Sequence, residues 1–292
     1  MRGDLPGAPS SPAASRCSAN ICSVTRYSTI ETVVEGHVGH LRLAREERLN
    51  AMNPAFFADL EAGVRELSEN EAVRAIVLSA QGPHFSVGLD LKESNLTASA
   101  GSPAATARGT YRHVKELQRA FDALAEAPQP TIAAVHGYCI GGGIDLIACC
   151  DIRLAAEDSV FSIREARIAI VADLGSLQRL PRIVPRGHLM ELALTAEDFG
   201  TGRAERIGLI NRVLPGREET VAEAVAVAER ISANSPLATL GTKEILRGVY
   251  DADLAGQLDR VALWNSAFIR SADLEEAFTA FLQKREPRFK GE

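Results

Sequence analysis

Nothing in the 292-residue sequence stays apolar for the ~18 residues that a bilayer-spanning helix needs, so no membrane segment is expected. Lysine is scarce, 5 against 27 arginines, and the formal net charge is −6. No clustered basic footprint is present to track a phosphate backbone, which argues against a nucleic-acid surface. The five cysteines, Cys17, Cys22, Cys139, Cys149 and Cys150, show neither a pairing pattern nor ligand spacing. Cys149 and Cys150 stand in an apolar helical stretch and read as small buried hydrophobes in a reducing compartment. The six histidines are scattered: His37 and His40 flank a strand edge and His113 sits in a polar helix. None has a partner at ligand spacing, so no metal is expected. What remains is ordinary globular composition, 46% hydrophobic and 24% charged, long enough for one large core.

Residues 1–26 are rich in Ser, Ala, Pro and Gly, lack periodicity, and are expected to form a disordered extension. Three arginines against one acid faintly echo a transit peptide, but the prolines and the missing amphipathic pattern point to a dispensable tail. Alternation then begins. STIETVVEG and HVGHLRLA read as two strands joined by a glycine turn. PAFFADLEAGVRELSEN reads as an amphipathic helix with Asn53 as N-cap and Pro54 in the first helical position. RAIVLSA and TIAAVHG read as buried strands, residues 92–105 as a loop, and ARGTYRHVKELQRAFDALAEAP as a long helix ended before Pro128. DIRLAAED and VFSI add short strands, and beyond about residue 164 the pattern turns mostly helical. Strand–helix alternation with buried apolar strands predicts an α/β core, with the helical last third as a separate layer.

Two stretches carry chemistry. HGYCIGGGIDLIACC is strand, tight turn and helix, and its glycines let the backbone approach a ligand as a Cβ would forbid. The unpaired amides at that helix start carry the positive end of the helix dipole. A glycine-rich turn of this kind is equally a close-packing turn with no ligand. FSVGLDL, beginning at Phe85, repeats the device, with Gly88 beside a strand end. Two free amides from separate loops can converge on one carbonyl oxygen, and losing one such donor costs ~3 kcal/mol of transition-state stabilisation. Three acids lie near or within apolar runs: Asp145 after the glycines, Glu165, and Asp173 eight residues later. Carboxyls in apolar surroundings have raised pKa values and hold protons near neutrality. Each acid alone is equally a cap or a surface charge; Asp173 before LGSLQRL is well placed to cap that helix.

FSVGLDL, HGYCIGGGIDLIACCDIR and SIREARIAIVADLGSLQRLPR, together with RLNAMN at 48–53, TGRAERIGLINRVLP at 201–215 and the tail FLQKREPRFKGE, resemble the crotonase (enoyl-CoA hydratase/isomerase) superfamily. The resemblance runs from about residue 28 to the end. It implies a spiral of ββα units with a C-terminal helical trimerisation region: an extension over 1–26, a core over 27–200 and a helical region over 201–292, assembled as a homotrimer or a dimer of trimers. It implies an acyl-CoA thioester substrate, with coenzyme A part of the substrate and no separate cofactor. Its oxyanion hole falls on the backbone amides of Leu89 and Gly142. CoA contacts fall on Arg48, Lys92 and Lys284.

Family hydratases carry glutamates at the positions of Asp145 and Glu165, and glycine at that of Asp173. Acids at all three, chosen Asp, Glu, Asp, look like the Δ3,5-Δ2,4-dienoyl-CoA isomerase branch, with further likeness in CIGGGIDL, ADLGSLQRLP and ALWNSA around Trp264. By analogy Glu165 serves C2, Asp173 serves C6 and Asp145 tunes Glu165 in the β-oxidation of unsaturated acyl chains. The alternatives are a 2-enoyl-CoA hydratase using Asp145 and Glu165, and a non-catalytic acyl-CoA-binding protein. The chain ends RFKGE rather than in a peroxisomal tripeptide. The expected location is therefore cytoplasmic and bacterial-like, with mitochondrial as the lesser alternative.

Overall fold

The computed structural model describes residues 21–94, 101–249, 253–268 and 270–292. Three strands, β1 (Ile21–Arg26), β2 (Ile30–Glu35) and β3 (Val38–Leu43), form an antiparallel meander. Helix α1 (Pro54–Glu69) follows, then β4 (Ala75–Ala80), α2 (Pro103–Glu126) and β5 (Thr131–Val135). A short strand β6 (Tyr138–Ile140) leads into α3 (Gly142–Ala148), β7 (Ile152–Ala156) and β8 (Val160–Ser162). Next come α4 (Ser176–Arg179), α5 (Arg186–Thr195), β9 (Phe199–Gly200), α6 (Thr201–Arg206) and β10 (Arg212–Leu214). The chain closes with α7 (Arg217–Ser232), α8 (Pro236–Arg247), α9 (Leu254–Phe268) and α10 (Ala272–Gln283).

The main sheet has the order β1-β2-β3-β4-β5-β7-β10, parallel from β3 onward. Strands covered on both faces should be apolar throughout rather than alternating. β4 is buried at every residue, with Ile76 and Leu78 in the core under α1 and α2 while Ala75 and Val77 turn to Ala224 and Ala228 of α7. β5 divides the same way, Ala133 and Val135 to one face, Ile132 and Ala134 to the other. The sequence-based expectation of an α/β core holds.

Three expectations change. Residues 21–26, placed in the disordered extension, form β1 and pair with β2 because their extended backbone finds an open sheet edge; residues 1–20 lie outside the described residues. Helix α2 begins at Pro103, inside the expected loop, because Ser102 caps it by accepting from the Ala105 N–H and proline occupies its first turn. The boundary at residue 200 is no structural break: β10 extends the main sheet beside β7, and α7 covers its second face. Helices α8–α10 are what stand apart from the sheet. There α8 and α9 meet closely, since a methyl on Gly241 would lie 2.2 Å from Trp264 Nε1.

A second sheet, β6-β8-β9, carries the strand that feeds α3. Two single bridges, Ser86 with Cys139 and Met52 with Leu89, tie the 85–90 loop to β6 on one side and to the 49–52 segment on the other. An ion cluster, buried at Arg45 and Asp90 and reaching the surface at Glu93, holds that arrangement. Arg45 Nη1 donates to Asp90 Oδ2 at 2.7 Å and to the Ala51 carbonyl at 3.0 Å, and Nη2 donates to Glu93 Oε1 at 2.6 Å. Asp90 Oδ1 accepts from the backbone of Lys92 and Glu93, closing the turn. Hydrogen bonding from Arg45 holds the Asp90 carboxyl below the usual range.

Removing one member of a buried pair strands the other, which typically costs ~3–5 kcal/mol. Both side chains here are 10% exposed. Arg45→Met is therefore expected to lower stability by about 3 kcal/mol, read as a fall in the urea midpoint near pH 7. Because the folded Asp90 pKa is depressed, the stabilisation is present above its ordinary value of 3.8 and fades as pH falls through the folded value. A loss below ~1 kcal/mol at pH 7 would mean that the pair behaves as a solvated one.

Candidate active site

The glycines explain the first feature of the site. Gly88 has φ +81°, and a methyl on it would lie 2.7 Å from the Ile140 carbonyl oxygen and 3.0 Å from the Gly142 nitrogen. The 85–90 loop and the start of α3 therefore touch backbone to backbone, an approach open only to glycine. Gly141 also has positive φ, +53°, and a methyl there would come 3.3 Å from Glu165 Oε1. The bridge to Met52 takes up the Gly88 carbonyl and the Asp90 N–H, on either side of Leu89. Leu89 lines the cavity, and its N–H has no partner among the described residues. Gly142 is the first residue of α3, so its N–H has no acceptor within the helix. Two amides from separate loops thus reach one cavity side by side.

That cavity has a volume of about 570 Å³, within the range of small-molecule sites. Its walls come from the 87–91 loop, the Ile140–Gly142 turn, the 3-10 turn Glu165–Ile168 with its continuation to Leu174, and one face of α2. Leu91, Val114, Leu117, Ile170 and Leu174 make it largely apolar. Asp145, Glu165 and Asp173 all line it. The sequence-based trio is brought together, with the two amides, in one place.

The three acids are not equivalent. Asp145 is 1% exposed, and its Oδ1 accepts from the Ser176 N–H at 2.5 Å. It thereby caps the start of α4, the role its sequence position suggested for Asp173. Burial, reinforced by the negative charge of Glu165, pushes the Asp145 pKa up to about 7. Glu165 is half-buried, its Oε2 is enclosed with no hydrogen-bond partner, and burial followed by the charge of Asp173 raises its pKa. Asp173 is exposed on the rim; partial burial raises its pKa, while nearby His113 pulls the other way. Its carbonyl accepts from Gln118 Nε2 of α2 at 2.6 Å. One enclosed acid, one facing the cavity and one on the rim give a site able to take and return protons at two places in a molecule held between them.

Arg48, Lys92 and Lys284 are all exposed and none lines this cavity. Arg48 and Lys92 lie on the two loops joined by Arg45, Asp90 and the Met52–Leu89 bridge, while Lys284 ends α10 far along the chain. Sequence reasoning missed the wall contributed by α2, Thr106, Gly109, Thr110 and His113, and the Ser176 amide on Asp145. The i, i+3, i+4, i+7 spacing of the α2 residues was visible, but which face met a cavity was not. The expected small-hydrophobe role of Cys149 and Cys150 agrees with their burial, which raises both thiol pKa values.

Residues 34–292 match the family model described as enoyl-CoA hydratase/isomerase, and the chain belongs to that family of enzymes acting on acyl-CoA thioesters. It is 42% identical over 270 residues to the peroxisomal Δ3,5-Δ2,4-dienoyl-CoA isomerase of Arabidopsis thaliana, covering 90% of this chain and 97% of that one. It is 36% identical over 278 residues to the mitochondrial Δ3,5-Δ2,4-dienoyl-CoA isomerase of Dictyostelium discoideum, covering 94% and 95%. The crystal structure of enoyl-CoA hydratase from Bacillus anthracis superposes with a TM-score of 0.81 at 30% identity, covering 94% of this chain and all of that one. The crotonase fold expected from the motifs is therefore shown. The expectation of a bacterial-like cytoplasmic location is overturned, since these isomerase relatives are peroxisomal and mitochondrial proteins. That expectation rested on missing signals, and a missing signal carries no address.

A raised carboxyl pKa in the folded state means that folding favours the protonated form. The benefit is complete below the unfolded value of 3.8 and is lost as pH rises through about 7. Asp145→Asn keeps the acceptor for Ser176 and removes the charge. The variant is expected to be more stable than the native chain by roughly 1–3 kcal/mol at pH 8, with the gap closing below pH 4. Urea unfolding at the two pH values measures it; a variant less stable at pH 8 would show that the charge is stabilised in place.

Proposed function

We propose that this enzyme isomerises 3,5-dienoyl-CoA to 2,4-dienoyl-CoA through a thioester dienolate, in the oxidation of unsaturated acyl chains. The observation that carries the reading is the meeting of Asp145, Glu165 and Asp173 with the Leu89 and Gly142 amides in one largely apolar cavity. The thioester carbonyl accepts from the two N–H groups. Glu165 takes a proton from C2, and the C–H electron pair delocalises through the diene onto the carbonyl oxygen, where the amides hold the charge. Asp173 gives a proton to C6, the double bonds come to rest at C2 and C4, and no atom is gained or lost. Solvent resets the two acids, Asp173 directly from its exposed rim position. Asp145 supports Glu165: kept protonated below neutrality by burial, it adds no second negative charge beside the base. Only protons move, so the reaction calls on no cofactor beyond the CoA of the substrate.

Supporting the isomerase branch are the third acid and the two dienoyl-CoA isomerase relatives. A second reading, hydration of a 2-enoyl-CoA by Asp145 and Glu165, is favoured by the likeness to an enoyl-CoA hydratase structure. Assembly as a homotrimer or dimer of trimers is part of the proposal. Leu274, Phe278, Phe281 and Leu282 form an exposed stripe at i, i+4, i+7 and i+8 on α10, an apolar face of the kind that another subunit covers.

Purified protein is expected to convert a 3,5-dienoyl-CoA to the conjugated 2,4-dienoyl thioester, followed by its absorbance. Asp173→Asn should lower kcat by roughly 10²–10⁴, the usual worth of a positioned acid or base. The same variant in D₂O should still exchange the C2 proton, because Glu165 and the two amides are intact. Hydration of a 2-enoyl-CoA that exceeds isomerisation and survives Asp173→Asn would replace the isomerase reading with the hydratase one.

A further inference from the structure

Helix α2 presents Thr106, Gly109, Thr110 and His113 to the cavity, one face at helical spacing. Glycine inside a helix is destabilising relative to alanine, because it releases more backbone entropy on unfolding. The usual structural reasons for keeping one are absent at Gly109. Its φ lies outside the left-handed region, and a methyl on its Cα would meet no atom within 4 Å. Other helical glycines divide: Gly187 of α5 and Gly202 of α6 are as free of neighbours but line no part of the cavity, and two more are held by packing. A methyl on Gly63 of α1 would lie 2.6 Å from Ile30 Cδ1, and one on Gly241 of α8 would strike Trp264. Those two are packing glycines, whereas Gly109 opens onto the cavity.

We infer that Gly109 sets the acyl-chain length this enzyme accepts, its missing side chain being the room that the distal carbons occupy. The inference rests on the acyl-CoA reading above. His113, whose charge bears on the Asp173 carboxyl, marks where α2 passes that acid. Gly109 is four residues upstream, about one turn or ~6 Å along the helix axis at 1.5 Å per residue. Asp173 serves C6 in the proposed reaction, so a chain that ends at C6 stops about one helical turn short of Gly109. A longer acyl tail continuing past His113 along Thr110 reaches it. The glycine therefore acts on long chains and not on the reacting diene.

The test compares native protein with Gly109→Leu on 3,5-hexadienoyl-CoA and 3,5-tetradecadienoyl-CoA. The ratio of kcat/KM for the long substrate to that for the short one is expected to fall at least tenfold. A ratio unchanged within twofold overturns the inference, including the case in which both substrates lose activity equally, since that places the shared pantetheine arm beside Gly109. Gly109→Ala guards against a folding artefact: it should raise the melting temperature and shift the ratio in the same direction by less. Calorimetric binding of the unreactive hexanoyl-CoA and tetradecanoyl-CoA separates the two claims. If the native chain binds both but isomerises nothing, the isomerase reading fails. A selective loss of tetradecanoyl-CoA affinity in Gly109→Leu then still upholds the role of Gly109, and equal affinities reject it.

Discussion

The site depends on one contact, the backbone of Gly88 against the backbone of Gly141 and Gly142. No other residue at position 88 fits between the Ile140 carbonyl and the Gly142 nitrogen. That closeness sets the Leu89 and Gly142 amides beside each other, and it exists only because both loops are held from outside. The Met52 bridge and the Arg45–Asp90–Glu93 cluster hold one loop, and the small sheet of β6 and β8 holds the other. A charge cluster of this kind is expensive to desolvate, and an apolar replacement of equal volume would often be no less stable. What it contributes here is geometry: a forked guanidinium fixes two carboxylates and a carbonyl at once.

The acids depend on the same framework in a second way. Enclosed carboxyls disfavour their charged form, and each raises its neighbours' pKa values. The cavity grades this effect from Asp145, enclosed and capping α4, through Glu165, half-buried with one oxygen unpartnered, to Asp173 on the rim. A trio at one uniform depth would still titrate in split steps through mutual repulsion, but no one member would be singled out. Graded depth singles out Asp145, whose pKa is pushed up to about 7, from Glu165, raised by burial, and from the exposed Asp173.

Much of this was legible along the chain. Local devices were read correctly where their partners are local: Asn53 accepts from the Phe56 N–H and Pro54 opens α1, as their positions required. The glycine turns, the strand pairs and the membership of three acids in one site followed from motif and order. The α2 start differs from the sequence-based expectation because Ser102 and Pro103 outweigh a run of small residues that resembles a loop. The last third reads as one separate layer because β10 is three residues long, too short to announce itself, and because the small face of α7 discloses no partner until the sheet is assembled.

The sequence by itself determined the residue types that line the candidate site: glycine at 88, 141 and 142, and carboxyls at 145, 165 and 173. It also determined the family, because so many motifs recur in one order. Only the tertiary structure decided which acid is enclosed and which is exposed, that Asp145 rather than Asp173 caps α4, and that Gly109 faces a cavity rather than a neighbouring helix. The reason is range. Backbone freedom and capping act over a few residues and are written in the local sequence. Burial and pKa are set by groups such as Ser176, which lies 31 residues from Asp145, and His113, which lies 60 from Asp173, and these become neighbours only on folding.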